Sequence, residues 1–419
     1  MRVEIVTIGD ELLLGFTVDT NAAHLARQLS AIGVEIVHRT TVGDNPDHIA
    51  AAVSDALNRT GAVITTGGLG PTSDDLTKPS IAALFGRAMR RDEALVAQLR
   101  ARWARLLRSA PFPESNLTQA MIPEGAIVLA NPHGTAPGIW LEDERGRWAA
   151  LLPGVPREMR EMLAAELLPR LRRKVDAATE ATSVIRSRTL RTVGVAESSL
   201  ADELGELAGG VDGLALAFLP GVAGVDLRVT SRGLDSEAAD VALSAAAVKL
   251  RASVGRYVYG EDDCDLAEVV LDHCRRRDLR IAVAESCTGG MLGARITAVP
   301  GSSDVFIGGI LAYDNSVKRE WLGVRNDDLV EHGAVSEAVA RTMAREVRLR
   351  FGAGIGIAIT GVAGPGGGTT EKPVGTIWIA VDGPTTHVLC RQSFGSREEI
   401  RQRAAQAALD MVRRALETG

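Results

Sequence analysis

Arg280-Ile-Ala-Val-Ala-Glu-Ser-Cys-Thr-Gly-Gly290 is a short apolar run that ends at a serine, a cysteine and two glycines, and Met291-Leu-Gly-Ala-Arg-Ile-Thr297 follows it directly. An apolar run of this length bounded by turn formers reads as a buried strand, here Arg280–Ala284, and the stretch Thr288–Thr297 reads as a helix. A strand that feeds a helix is the unit of an α/β domain. Outward from this unit the pattern repeats. A helix is expected at Leu266–Arg276, strands at Ile307–Tyr313, Ile355–Thr360 and Gly375–Val381, and a closing amphipathic helix at Ser396–Leu416.

The amino-terminal part alternates in the same way. Val3–Ile8 is an apolar run ending in Gly9-Asp10, and Asp19 or Asn21 can cap a helix carrying Leu25, Leu29 and Ile32 on one face. Strand Val34–Val37, a helix from Asn45-Pro46 to about Arg59 and strand Gly61–Thr66 follow. This order predicts a mainly parallel sheet covered on both faces, with ligands at the carboxyl ends of the strands. Strands flank Asn131–Gly138, Ala149–Leu152 is another, and a charged helix at Arg157–Arg173 closes the region. Between them, strands Ser183–Val193 and Val225–Ser231, a helix begun by Glu197-Ser-Ser199 and a long helix Ser236–Leu250 form a small α+β unit. The fold class is thus multidomain α/β, with domains expected at 1–174, 175–255 and 256–419.

Composition narrows the function. With 419 residues, 46% hydrophobic and 24% charged, the chain has the profile of a soluble multidomain protein. A net charge of −6 offers no general attraction to nucleic acid or anionic membrane. The four cysteines form no C-x-x-C pair and read as reduced thiols, so a cytoplasmic location is expected. The first residues enter a strand at once, which argues against a signal peptide, and no run of 18 apolar residues suggests a membrane span.

Ser286 stands where strand turns into helix. Amides at a helix start carry partial positive charge and can hold a phosphate or the oxyanion of a tetrahedral intermediate. Thr288, Gly289 and Gly290 are candidates for that contact. A serine nucleophile needs a base. Tyr313-Asp-Asn-Ser-Val-Lys318 follows the next strand, and a buried Lys318 with a lowered pKa could serve, with Tyr313 relaying a proton or orienting it. The plain alternative is a helix-capping Ser286 and a solvated Lys318. Cys287 is a rival nucleophile, though a buried structural thiol is the simpler reading. Thr360-Gly-Val-Ala-Gly-Pro-Gly-Gly-Gly368 is either a substrate loop, through Thr360, Gly361, Ala363 and Gly364, or a turn. Arg397 and Arg401 sit one turn apart and could pair with a phosphate or simply face solvent.

In the amino-terminal part, Thr65-Thr-Gly-Gly-Leu-Gly-Pro-Thr72 follows a buried strand, so that Gly67, Gly68, Gly70 and Thr72 could turn amides toward an anion. Asp74 and Asp75 after it, with Asp10 and Glu11 at the first strand end, are candidate ligands for a divalent cation that bridges phosphate oxygens. Asp44 lies at a further strand end. Helix caps and Asx turns are the plain alternative for each acid.

Ala284–Gly290, Gly309–Lys318, His332-Gly-Ala-Val-Ser336, Thr360–Gly368 and Lys372-Pro-Val-Gly-Thr376 resemble the CinA carboxy-terminal domain, the PncC-type nicotinamide-nucleotide amidase, across residues 256–419. The resemblance implies Ser286 as nucleophile assisted by Lys318 and Tyr313, nicotinamide mononucleotide as substrate and no cofactor. Gly9-Asp-Glu-Leu-Leu-Leu-Gly15, Asp19-Thr-Asn21, Thr66–Thr77, Asn131–Gly138 and Leu152-Pro-Gly-Val-Pro-Arg-Glu158 resemble the molybdopterin-binding MoaB/MogA-like domain as found in the CinA family. That likeness implies cleavage of ADP-ribose to AMP and ribose 5-phosphate with a divalent metal (Mg, Mn or Co), leaves room for potassium, and adds Asn21 and Asp44 to the substrate contacts. The middle unit is similar to the KH-like segment of the same family but lacks a G-x-x-G loop with basic flanks, so RNA is not an expected partner. A homodimer is expected. A non-catalytic pterin-binding first domain, or a non-catalytic competence or DNA-damage factor, are the rival readings.

Overall fold

The computed structural model describes residues 1–106, 111–176 and 184–417, and Ser183 of the expected middle strand lies outside them. The chain divides into two compact units, Met1–Arg186 with Ser231–Val241, and Ser187–Thr230 with Ala242–Gly419. Among the described residues, no helix is long and apolar enough to cross a membrane.

The first unit carries a six-stranded sheet. Its strands are β1 (Arg2–Ile8), β2 (Glu35–Val42) and β3 (Ala62–Thr66), then β6 (Ile127–Leu129), β7 (Gly138–Glu142) and β8 (Trp148–Leu152), after the small pair β4 (Met89–Arg91) and β5 (Met121–Pro123). The order is β2-β1-β3-β8-β7-β6. From β2 to β8 the neighbours are parallel, whereas β7 and β6 are antiparallel. The sheet is therefore mixed, and the reason is connection length. Parallel neighbours need a helical crossover, while β7 and β8 are joined by a tight turn at Asp143–Gly146. The helix Glu93–Leu106, which the sequence reading passed over, packs Val96 and Leu99 into a satellite cluster with Ala120.

In the middle segment β9 (Val184–Thr192), β10 (Ala215–Pro220), β11 (Val225–Leu234) and β12 (Val258–Glu261) form a sheet in the order β10-β11-β9-β12. β12 pairs with β9, and Val193 and Tyr259 join the core of the carboxy-terminal region. These contacts draw residues 187–230 into one compact unit with the region that follows.

The carboxy-terminal sheet consists of β13 (Ile281–Glu285), β14 (Phe306–Leu311), β15 (Ile355–Gly361), β16 (Thr376–Asp382) and β17 (His387–Gln392), ordered β14-β13-β15-β16-β17. β13 is central and parallel to both neighbours, and β16 and β17 run antiparallel. Successive residues of a strand point to opposite faces. Ile281 and Val283 accordingly pack with the helices Leu266–Arg276 and Arg397–Glu417. Ala282 and Ala284 pack on the other face beneath Met343 and Val347 of the helix Glu337–Phe351, with Ala358 of β15 and Ala380 of β16 beside them. Both faces are covered, and the small alanines let that helix lie close to the sheet.

Candidate active site

Burial on both faces fixes the height at which β13 ends, and Ser286 follows at once, its amide donating to Ile359 O at 2.9 Å. The helix after it, Met291–Thr297, does not offer its first amides to a ligand. The carboxylate of Glu285, itself buried, accepts from Gly290 N at 3.0 Å, Leu292 N at 3.0 Å and Gly293 N at 2.8 Å. Gly289 N donates to Ser286 O at 3.0 Å. The expectation that Gly289 and Gly290 receive an oxyanion is corrected: an internal carboxylate already occupies that helix start. The two glycines serve the turn, with φ of 58° and 93° in the left-handed region. The amides of Cys287 and Thr288 are left as the candidates for that role.

A cavity of about 200 Å³ opens above Ser286. Cys287, Tyr313, Asn315, Lys318, Thr360 and Arg397 line it, with Ala334, Val335, Gly361 and Ala363. Lys318 belongs to the helix Asn315–Leu322, which Asp314 caps by accepting Ser316 N at 2.8 Å. That helix aims Lys318 inward, where it is 1% exposed. Burial pushes its ammonium below the usual lysine range against the opposing pull of Asp314. Its Nζ donates to Ala312 O at 2.6 Å and Tyr313 O at 3.2 Å. A neutral amine has two N–H bonds and a lone pair. The two carbonyls take two N–H bonds, so the third position of Nζ is an N–H when the amine is charged and a lone pair when it is neutral.

Cys287 is buried and its thiol is pushed up to about 12, chiefly by burial, so it is no thiolate at neutral pH. Tyr313 stands at the mouth, and its hydroxyl accepts from Arg397 Nη2 at 2.8 Å. Arg397 also donates to Gly364 O. Thr360 Oγ donates to Ala334 O at 2.8 Å, so its hydroxyl braces the neighbouring loop. Arg401 is outside the cavity: Nε and Nη2 donate to Thr288 O at 3.2 and 2.8 Å and Nη1 pairs with Glu398 at 2.9 Å. It holds the turn instead of reaching a ligand. Gly361 is glycine because a Cβ would lie 2.7 Å from Thr376 O on β16. Asn315, Ala334 and Val335 complete the cavity although the sequence reading gave them no role.

The first unit holds a crevice of about 420 Å³. Glu11, Asp44, Asp74, Asp75 and Glu158 line it with Gly67, Gly68 and Gly70 and with neither lysine nor arginine. Glu158 is an addition to the expected set. Here again an internal carboxylate takes amides that the sequence reading offered to an anion. Asp75 accepts from Gly70 N at 2.7 Å, Thr72 N at 2.8 Å and Thr72 Oγ at 2.5 Å, and Gly67 N donates to Leu152 O at 3.1 Å. Asp75 and Thr72 are therefore tied to each other within the loop. Asp10 and Asp44 exchange bonds, Asp10 N to Asp44 Oδ2 at 2.9 Å and Asp44 N to Asp10 Oδ1 at 3.2 Å. Asn21 lies beneath, donating to Thr66 Oγ at 3.1 Å and Gly154 O at 2.7 Å.

Asp44's carboxyl is pushed up by burial and by the charges of Asp10, Glu11 and Asp74. Among the described residues, no three of His, Cys, Asp and Glu converge into a ready cage for a metal ion. A magnesium-type ion needs no such cage, because it takes one or two carboxylates and completes its shell with water and substrate phosphate. The crowded charge around Asp44 fits that mode.

Three family models divide the chain. Residues 4–173 match the probable molybdopterin binding domain, 187–260 the damage-inducible protein CinA KH domain and 263–416 the CinA C-terminal domain. A CinA-like protein of Gemmatimonas aurantiaca is 62% identical over 416 residues, spanning 99% of this chain and 96% of its own length. A putative competence-damage inducible protein of Moorella thermoacetica is 42% identical and spans 99% of both chains. A CinA-like protein of Gloeobacter violaceus is 43% identical over 98% of this chain and 96% of its own.

Proposed function

The chain belongs to the CinA family, and on that premise we propose that its carboxy-terminal domain is a serine amidohydrolase that converts nicotinamide mononucleotide and water to nicotinic acid mononucleotide and ammonia. The observation that carries this reading is the buried Lys318, its charge disfavoured and two of its N–H bonds taken by carbonyls, in one small cavity with Ser286. Ser286 Oγ attacks the carboxamide carbon while Lys318 takes its proton. Lys318 returns that proton to the departing ammonia. Water then attacks the ester carbon, again with Lys318 as base, and Lys318 passes that proton to Ser286 Oγ as the Ser286–acyl bond breaks. Amides of Cys287 and Thr288 face the developing oxyanion. A volume of about 200 Å³ suits a pyridine carboxamide. The phosphoribosyl group then extends past Tyr313 toward Arg397. Ammonia release from nicotinamide mononucleotide by the full chain, lost in Ser286→Ala, tests the reading. Release undiminished in that variant rejects it.

The acidic crevice supports a second activity, hydrolysis of ADP-ribose to AMP and ribose 5-phosphate. A pyrophosphate cannot approach a crevice lined by five carboxylates without a cation. Asp44, with Glu11 or Asp74, is the group that would hold a divalent ion. That ion would neutralise the phosphate charge against which water attacks. The chain's own part is to bind and orient. Cleavage of ADP-ribose by the full chain with and without chelator tests it.

A further inference from the structure

A cavity of about 730 Å³ lies between the helix Glu93–Leu106 and the segment Val128–Pro137. Nothing above gives it a task. Leu95, Leu99, Val128 and Pro132 make its walls, and Arg102 and Arg105 stand at one side. The acidic crevice is its direct neighbour, since Thr135 lines both. The divider is the loop 131–135: Asn131 Nδ2 donates to Glu158 Oε2 at 2.7 Å, and a Cβ on Gly134 would overlap the same carboxylate. Arg102 Nη1 donates to Pro132 O at 2.7 Å, which steadies the far wall.

The two cavities are opposite in character. One gathers five carboxylates among glycines and a few apolar side chains and suits a cation-bridged phosphate. The other is mostly apolar, with two guanidiniums and with the Asp92 carboxylate engaged by Leu95 N at 3.0 Å, and suits a flat, weakly polar ring and an anionic group beside it. A molecule that spans both must carry phosphate at its middle and an aromatic base at one end. We propose that this groove is the purine-nucleotide subsite of the first unit. It holds the AMP half of the dinucleotide-like substrate between Leu95, Leu99, Val128 and Pro132, with Arg102 and Arg105 on that half's phosphate. The inference rests on the ADP-ribose reading of the crevice and assigns the orientation: the base lies in the groove, and the ribose 5-phosphate end lies over Asp44.

The test measures binding by calorimetry on the full chain, with AMP alone and with ribose 5-phosphate plus magnesium as separate probes. Ala101→Trp fills the groove from its exposed side and leaves the crevice untouched. It should weaken AMP binding at least tenfold, leave ribose 5-phosphate binding unchanged and raise the KM for ADP-ribose with little change in kcat. Arg105→Ala should weaken AMP similarly without filling space. If wild type cleaves ADP-ribose while both variants bind AMP and ADP-ribose normally, the subsite is overturned and the crevice reading stands. If wild type neither binds AMP nor cleaves ADP-ribose, both fail together.

Discussion

Arg397 Nη2 donates to the Tyr313 hydroxyl at 2.8 Å, joining the start of the last helix to the loop that leads into the helix of the buried lysine. Tyr313 is 63% exposed, yet its oxygen is fixed. The hydroxyl accepts from Arg397, so its own proton is free to point at a ligand in the mouth of the cavity. Arg397→Ala should therefore raise the KM for nicotinamide mononucleotide about tenfold, which is about 1.4 kcal/mol of binding, with a smaller effect on kcat. Steady-state kinetics check this. An unchanged KM would remove Arg397 from the phosphoribosyl site.

Ser286 and Cys287 are adjacent, and both line the cavity. The thiol's pKa, pushed up to about 12 by burial, leaves it protonated at any working pH. Cys287→Ala should keep most of the ammonia release and Ser286→Ala should abolish it. Iodoacetamide should likewise leave the wild-type rate unchanged. The reverse pattern in the two variants would move the nucleophile to sulfur.

Lys318 acts as a base only when neutral. Burial holds its pKa below the ordinary 10.5, so activity should rise with pH and level off before that value. The stability sign follows from the same shift. Between the lowered folded value and 10.5 the unfolded chain binds a proton that the folded chain has lost. Stability from this group is then absent below the window and grows as pH rises through it. Lys318→Met should cost about 10²–10⁴ in rate. It should also flatten that part of the stability profile, read by urea denaturation at several pH values. Wild-type rates in Lys318→Met would reduce the lysine to a structural residue.

Much of this was legible in the sequence because it depends on local pattern. The apolar runs before Gly67 and Ser286 gave strands β3 and β13, and the glycines marked the sheet edges at which the two cavities open. Ser286, Lys318 and Tyr313 do meet, since neighbouring parallel strands end at one edge. The destinations of the amides were not legible. Glu285 and Asp75 each fold back on the turn beside them, and a carboxylate next to glycines reads equally well as ligand or as internal anchor. The helix Glu337–Phe351 was legible too, since Val339, Ala340, Met343, Ala344 and Val347 repeat at helical spacing behind the Ser336 cap, yet it is absent from the elements expected from sequence. The antiparallel β16 and β17 depend on a connection without a crossover helix, which composition does not reveal.

Glu285 is a direct test of the anchor. Its two oxygens serve three amides, so Glu285→Gln places an NH₂ group against at least one N–H. A buried donor left unsatisfied costs about 1–3 kcal/mol. The midpoint of denaturant unfolding should fall accordingly. Ammonia release should fall in kcat rather than KM, because the turn carrying Ser286 loosens while the mouth of the cavity is intact. A variant with unchanged stability would mean that the helix start does not need the charge.

The last prediction concerns Asp44. Its carboxyl is pushed above the ordinary 3.8 by burial and by the surrounding acids, so between 3.8 and the raised value the folded chain holds a proton the unfolded one has lost. The ionised form is the unfavourable one in the fold, and this group's contribution falls as pH rises through that window. At neutral pH the crevice therefore holds repulsion that a divalent cation would relieve. Asp44→Asn keeps an acceptor oxygen for Asp10 N and removes the charge. Without metal this variant should melt at a higher temperature than wild type. Magnesium should raise the melting temperature of wild type, because a ligand bound only by the folded state stabilises it, and should do little for Asp44→Asn. Cleavage of ADP-ribose should be lost in the variant and in wild type with excess chelator, while ammonia release continues in both. Asp75→Asn should behave differently, lowering stability with or without metal, since Asp75 anchors Gly70 and Thr72. Full cleavage in chelator, or a magnesium response that survives in Asp44→Asn, would detach the metal from this crevice.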